Sequence, residues 1–401
     1  MKLDIFDKCL EFTKATEYRD KGLYPYFIPI ADNHGPRVNM NGKEMLMIGS
    51  NNYLGLTKDP RVEEAAIKAI EKYGTSCSGS RFLNGTLELH VEAEHKLAKF
   101  IGKESALMFT TGYLTNFGSV STLLDRKSVI ISDRTNHACI NDGILLAKGT
   151  FPSITLKRYQ HNDMDDLERV ISTVDIDKPK LIATDGVFSM EGDVVQLPRL
   201  VEIAKKYNAR LYIDDAHGMG VLGKSGRGTL EHFDLIDEVD LVTTTFSKSF
   251  ASLGGFIAGK KEVVDFIKHF SRALIFAAAM PPANTAAVIK SLEIIETEPE
   301  LVHRVQHNGA KMRREFQAMG FDTGESEHTP IVPLLVRDFD KTLAFWKALF
   351  DAGIYTNAVV PPGVPADRSL LRTTYMATHT DADLDEVLDR VKKIAKQMDI
   401  I

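Results

Sequence analysis

The sequence predicts an α/β fold: a mainly parallel sheet covered by helices on both faces, followed by a smaller α+β C-terminal domain. Three observations carry this. Short apolar runs and helix-period segments alternate from about residue 105 to 258, and such alternation marks parallel strands joined by helical crossovers. Two apolar runs stop on reactive side chains: Leu211-Tyr212-Ile213 on Asp214-Asp215-Ala216-His217, and Leu241-Val242-Thr243-Thr244-Thr245 on Phe246-Ser247-Lys248-Ser249. The chain has 401 residues, more than one ordinary domain of roughly 100–200 residues holds.

The elements follow in order. Residues 1–45 form a mixed N-terminal segment, with Gly22-Leu23-Tyr24-Pro25-Tyr26-Phe27-Ile28-Pro29 aromatic, proline-broken and extended. A helix then starts where Asp59 can cap it and Pro60 suits its first turn. Val62, Ala65, Ala66, Ala69, Ile70 and Tyr73 recur at helical spacing, and Gly74 can end it. Ser78-Gly79-Ser80-Arg81-Phe82-Leu83-Asn84-Gly85-Thr86 is a small-residue loop, and a helix over about 88–101 follows. Strands are expected at 105–110, 128–132, 180–184, 210–213, 239–245 and 255–258, with helices at about 163–173 and 198–207 between them. A long helical region covers about 281–319. Strands at 331–336 and 371–375 and helices at 340–352 and 382–398 complete the smaller domain. The expected division is 1–45 as N-terminal segment, 46–285 as large domain and 286–401 as small domain.

Composition excludes several classes. With 44% hydrophobic and 26% charged residues the chain is of ordinary globular type. A net charge of −6 and no long basic run disfavour nucleic acid. Cys9, Cys77 and Cys139 are too few for a disulfide framework and suit a reducing cytosol. Met1-Lys2-Leu3-Asp4-Ile5-Phe6-Asp7-Lys8 carries early acids and lacks the apolar core of a signal peptide. No apolar stretch nears the ~18 residues that span a bilayer, so membrane contact is at most peripheral. The cysteines and histidines show no recognised metal-ligand spacing, and the sequence holds no GxSxG motif.

A parallel sheet binds ligands at the carboxyl ends of its strands, where Asp214, Lys248, 133–137 and 185–189 all fall. A lone lysine after a strand is ordinarily a solvated surface residue. Lys248, however, sits among Thr245, Ser247 and Ser249 and ahead of Gly254-Gly255. Hydroxyls and a tight backbone around a buried lysine suit a Schiff base with pyridoxal phosphate (PLP), because burial lowers the amine's proton affinity. Asp214 alone reads as a helix cap, but Asp215 can take that role and leave Asp214 to hold the pyridinium proton. His217 can reach the ring oxygen, and His137 can stack on the ring. Thr110-Thr111-Gly112-Tyr113-Leu114-Thr115-Asn116 opens a helix after a strand, where free backbone N–H groups bind phosphate.

From Asn51-Asn52-Tyr53-Leu54-Gly55-Leu56 to Met376-Ala377-Thr378-His379-Thr380 the ordered motifs resemble the α-oxoamine synthases. These are fold-type I PLP enzymes that condense an amino acid with an acyl-CoA, losing CO2 and CoA. The resemblance implies that Lys248 is the Schiff-base lysine, Asp214 the pyridinium partner, His217 the ring-hydroxyl contact and His137 the stacked residue. It places Gly112, Tyr113, Ser189, Thr245 and Ser247 in the phosphate or cofactor pocket. Arg372 becomes the receiver of the substrate carboxylate, with Asn52 as a second substrate contact. A homodimer with sites at the subunit interface is implied as well. The forms Gly79–Thr86, Thr245–Ser249, Asp185–Asp193 and Pro361–Ala366 resemble the branch that uses L-serine and palmitoyl-CoA, whereas glycine-using branches more often show Gly-Lys-Ala around the lysine. The expected reaction is therefore condensation of L-serine with a long-chain acyl-CoA to 3-ketodihydrosphingosine, in the cytoplasm. A sister synthase using glycine or alanine and a shorter acyl-CoA, and a non-catalytic partner subunit, are the alternatives. Three positions depart from the family pattern. Ala277-Ala278-Ala279 replaces a segment that often carries serine or threonine, Thr244 stands where glycine is common, and Cys139 where serine is common.

Overall fold

A computed structural model describes residues 4–33 and 35–401. Met1 to Leu3, the start of the segment read as lacking a signal-peptide core, lie outside the described residues. Among the described residues thirteen strands occur: β1 Arg37–Met40, β2 Lys43–Met47, β3 Ser105–Phe109, β4 Val129–Asp133, β5 Thr155–Tyr159, β6 Lys180–Asp185, β7 Ala209–Asp214, β8 Leu241–Thr245, β9 Gly255–Gly259, β10 Ile331–Leu335, β11 Ile354–Tyr355, β12 Asn357–Val359 and β13 Leu370–Thr374.

Seven of them form the main sheet in the order β3-β9-β8-β7-β6-β4-β5. The pairs from β8 through β5 are parallel, and β9 runs antiparallel to both β8 and β3. The alternating pattern of β-strands explains why both faces are covered. Ile131, Ile182, Leu211, Ile213 and Val242 enter one apolar cluster, while their neighbours Ile130, Leu181, Tyr212 and Leu241 enter another. The carboxyl ends of β4, β6, β7 and β8 lie along one edge, and that edge carries Asp133, Asp185, Asp214 and Thr245.

The expected helix at 60–73 is present. Asp59 accepts a hydrogen bond from the Arg61 N–H at 2.9 Å, Pro60 opens the helix, and Gly74 follows it with φ +81°. The long helical region is two helices, Pro282–Thr297 and Pro299–Met319, because Pro299 cannot continue the first. Strand β5, the helix Ala138–Thr150 and the short N-terminal helices Asp7–Leu10 and Lys14–Asp20 are additions to the sequence expectation.

The second unit has two small sheets, β10-β13-β12 and β1-β2-β11. In the latter, β2 pairs in parallel with β11, more than three hundred residues away, and Leu46 and Ile48 join the apolar cluster built from 312–395. The boundary drawn at residue 45 thus falls inside a strand that packs with the C-terminal unit. Among the described residues no helix is long and apolar enough to cross a membrane, and no group of three or more His, Cys, Asp or Glu side chains is arranged to hold a metal ion.

Candidate active site

One cavity of about 300 Å³ opens at the carboxyl edge of the main sheet. Its walls contain Gly112, Tyr113, His137, Ser189, Asp214, His217, Thr245, Ser247 and Lys248. Nine of the eleven residues singled out from the sequence therefore meet in one place. The other two, Asn52 and Arg372, are buried and not among its walls.

Asp214 is the last residue of β7, and strand geometry carries its side chain to the cavity floor. Its Oδ2 accepts from Asn116 Nδ2 at 2.7 Å and its Oδ1 from the Ala216 N–H at 3.1 Å. Burial raises its pKa above the usual carboxylate range, against the opposing pull of the Lys248 and His137 charges. Asp215 does not cap the segment after its own strand. Its carboxylate accepts from Thr229 N–H at 2.7 Å and Thr229 Oγ1 at 2.6 Å, fourteen residues on. Asp214 thus faces the cavity, whereas Asp215 is turned to Thr229.

Lys248 follows β8 by three residues and is partly exposed, to the cavity it lines. Burial brings its pKa down to about 8, helped by the Arg372 charge and resisted by Asp214. Its amine is thus far more readily neutral than that of a surface lysine. His217 is buried, and burial together with the charges of Lys248, Arg372 and His137 pushes its pKa well below 6.5, so its ring is neutral. Its Nδ1 lies 2.7 Å from the Tyr53 hydroxyl.

The helix Gly112–Leu123 begins at the cavity, capped by Thr111, whose hydroxyl accepts from Leu114 N–H at 3.0 Å. The N–H groups of Gly112 and Tyr113 find no acceptor among the described residues. Glycine is required at 112 because a Cβ there would lie 2.5 Å from Thr245 Cβ. The Thr245 and Ser247 hydroxyls are 2.9 Å apart. Two free N–H groups and two hydroxyls at a helix N-terminus make an anion cradle. Tyr113 turns its own hydroxyl to Asp142.

His137 caps the helix Ala138–Thr150: its Nδ1 accepts from Cys139 N–H at 3.2 Å, with Cys139 Sγ at 2.8 Å. The His137 N–H donates to Asp185 Oδ2 at 3.2 Å. Asp185 is buried next to Asp214, and burial and that second acid raise its pKa well above the ordinary range.

Arg372 sits in β13 of the small unit and reaches across to the large one. Its Nε donates to the Ser189 carbonyl and its Nη2 to Tyr53 Oη at 3.3 Å. Its Nη1 has no hydrogen-bond partner among the described residues. Asn52 donates from Nδ2 to Thr57 Oγ1 at 2.8 Å, while its buried Oδ1 has no partner. A guanidinium edge without a protein partner and a buried free carbonyl oxygen are the equipment for a small zwitterion: one receives a carboxylate, the other an N–H or O–H donor.

The residues fit PLP. A buried carboxylate, a lysine of lowered pKa and an anion cradle line one cavity, and those three are what a pyridine ring, an aldehyde and a phosphate need. Sequence reasoning missed Asn116, Asp185 and Tyr53 as site residues, although each lies in a motif it quoted. Asn116 carries the most: its Oδ1 accepts from Tyr212 Oη and Thr243 Oγ1, both at 2.8 Å, which fixes the amide so that its NH2 faces Asp214. Nothing in a linear pattern marks such a buried three-way junction.

Residues 43–391 match the family described as aminotransferase class I and II. The chain is 46% identical over 394 residues to a serine palmitoyltransferase of Sphingobacterium spiritivorum, covering 98% of this chain and 97% of that one. It is 41% identical over 389 residues to an 8-amino-7-oxononanoate synthase of Thermoanaerobacter pseudethanolicus, covering 97% of each. Among solved structures, a serine palmitoyltransferase variant from S. paucimobilis with a bound PLP–myriocin aldimine superposes with a TM-score of 0.94, at 33% identity and full coverage of both chains.

Proposed function

This chain belongs to the aminotransferase class I and II family and, within it, to the PLP-dependent α-oxoamine synthases, and we propose that it condenses L-serine with palmitoyl-CoA. The products are 3-ketodihydrosphingosine, CoA and CO2. The observation that carries the choice of substrates is likeness over the whole chain to serine palmitoyltransferases, at 45–46% identity for four of them. The sister synthases that make 8-amino-7-oxononanoate follow at 39–43%. Intact Lys248, Asp214 and His217 in one cavity speak against a non-catalytic subunit.

When bound, PLP draws electrons from the substrate Cα and so stabilises a carbanion there. Everything else falls to the chain. Gly112, Tyr113, Thr245 and Ser247 would hold the phosphate through N–H and hydroxyl donors. Asp214, kept in place by Asn116, would hold a proton on the ring nitrogen. His217 would donate to the ring oxygen, and His137 would cover the ring face. Arg372 would bind the serine carboxylate, with Asn52 as second contact. Lys248, with a pKa near 8, would take the Cα proton near neutral pH without strong general base in the solvent.

The same reading makes the protein a homodimer with sites at the interface. Support comes from Phe82, Leu83 and Phe276, which are 52%, 78% and 75% exposed. Their segments pack together through the Ser80–Ala278 bridge, and Thr110 donates to the Ala278 carbonyl next to the anion cradle. Apolar surface at the rim of a site is suited to burial by a second copy. We place the enzyme in the cytoplasm, with no nucleic-acid partner and at most peripheral membrane contact through exposed Ile5, Phe6, Leu10 and Phe12.

A visible-absorbance titration tests the reading. Purified protein given PLP should develop a lysine-dependent band that Lys248→Ala lacks, and L-serine should shift it where glycine and L-alanine do not. Absence of any band after PLP addition would end the enzyme reading.

A further inference from the structure

Tyr53 lies fully buried between the two units and touches both ends of the site. Three groups surround its hydroxyl: Arg372 Nη2 at 3.3 Å, His217 Nδ1 at 2.7 Å and Asn51 Oδ1 at 3.3 Å. The direction of the chain follows from what each group can do. A guanidinium only donates, so Tyr53 Oη is the acceptor from Arg372. The phenol has one proton. At 2.7 Å the His217 nitrogen is at the usual separation for an O–H donor, whereas Asn51 at 3.3 Å lies beyond the ordinary range. Burial keeps the phenol protonated, and His217 is neutral for the reasons given above. With Nδ1 accepting, the ring proton must sit on Nε2. That nitrogen has no protein partner among the described residues, and His217 lines the cavity.

We propose that Tyr53 is a positioning residue, carrying a one-way hydrogen-bond chain from Arg372 to His217 that sets the Nε2–H form of His217. This rests on the reading above, in which Arg372 receives the substrate carboxylate and His217 contacts the cofactor. A neutral histidine offers one donor. If the proton stood on Nδ1, a lone pair would face the cavity and meet the ring oxygen of PLP as acceptor against acceptor. Tyr53 removes that choice and at the same time holds the guanidinium from behind, leaving Nη1 for the carboxylate. Its bonds to Arg372 and His217 also explain why an aromatic with a polar tip stands here rather than a plain apolar ring.

The test is Tyr53→Phe, which keeps the buried ring and removes only the hydroxyl. The ring-nitrogen NMR shifts of 15N-histidine-labelled protein report which nitrogen carries the proton, with His217→Gln assigning the signal, and they are read with and without added PLP. We expect Nε2–H for His217 in the unaltered protein and a mixture of both forms in Tyr53→Phe. We also expect about a tenfold rise in KM for L-serine with less than a threefold change in kcat, as loss of a hydrogen bond to a charged group predicts. A His217 proton on Nδ1 in the unaltered protein overturns the inference. So does Tyr53→Phe with His217 and the serine KM both unchanged, because packing alone would then account for the residue. Failure of the substrate reading is separable: CoA release would fail with L-serine while the histidine signal, which needs no substrate, still responds.

Discussion

Lys248→Met should make the PLP-free protein more stable at neutral pH, although it should abolish the proposed activity. The Lys248 pKa falls from 10.5 to about 8, chiefly through burial. The unfolded chain holds that proton up to about pH 10.5, whereas the folded chain releases it near 8. Between those values the unfolded state binds more protons, so stability rises with pH across that window. Below pH 8 the full penalty of a buried ammonium is present. At about 1.4 kcal/mol per pH unit it amounts to about 3 kcal/mol at most, and water in the open cavity screens part of it. Met has similar length, no charge and a flexible stem, so it removes the penalty without leaving a void. Urea unfolding of both PLP-free proteins at several pH values provides the assay. The variant should exceed the original by about 1–3 kcal/mol at pH 7, with the gap closing between pH 8 and 10. Equal stability at pH 7, or a gap that does not depend on pH, would refute the claim that Lys248 is held in a state it disfavours. Function placed in a destabilised residue is the ordinary trade between stability and activity.

Other outcomes follow from the same geometry. Asn116→Ala takes a charge-assisted hydrogen bond from Asp214 and strands the Tyr212 and Thr243 hydroxyls; PLP affinity should fall roughly 10- to 150-fold, from about 1.5–3 kcal/mol, and an unchanged affinity by fluorescence titration would show that Asp214 does not need its orienting amide. Gly112→Ala drives a methyl into Thr245; urea unfolding of the PLP-free protein should show a loss of about 1–3 kcal/mol for overpacking, and unchanged stability would show that the two segments need not approach so closely. Arg372→Lys keeps the charge but loses the planar fork; the KM for the amino acid should rise at least tenfold with PLP affinity intact, and a loss of PLP binding instead would place Arg372 at the cofactor rather than the substrate.

The site was legible where chemistry coincides with the end of a strand. Asp214 and Lys248 stand out because β7 and β8 are apolar runs that stop on charge, and Gly112 because a small-residue turn follows β3. What stayed hidden has tertiary causes. Strand β5, Thr-Leu-Lys-Arg-Tyr, is an edge strand with exposed positions, so it lacks the apolar signature of its neighbours. The helix Ala138–Thr150 has glycines at 143 and 149 that blur its period, and one of them packs 3.0 Å (as a Cβ) from the Phe117 carbonyl. The pairing of β2 with β11 joins segments from opposite ends of the chain, and no local pattern encodes it. Asn116 and Tyr53 act only through partners that are distant in sequence. The proposed substrates were legible through family likeness alone, because no side chain lining the cavity distinguishes serine from glycine.

Release of free CoA decides the choice of amino acid. Holoenzyme with palmitoyl-CoA should liberate thiol when L-serine is added and remain near background with glycine or L-alanine. Release driven by glycine or L-alanine, with L-serine inert, would contradict the account and assign the chain to a sister synthase on the same scaffold.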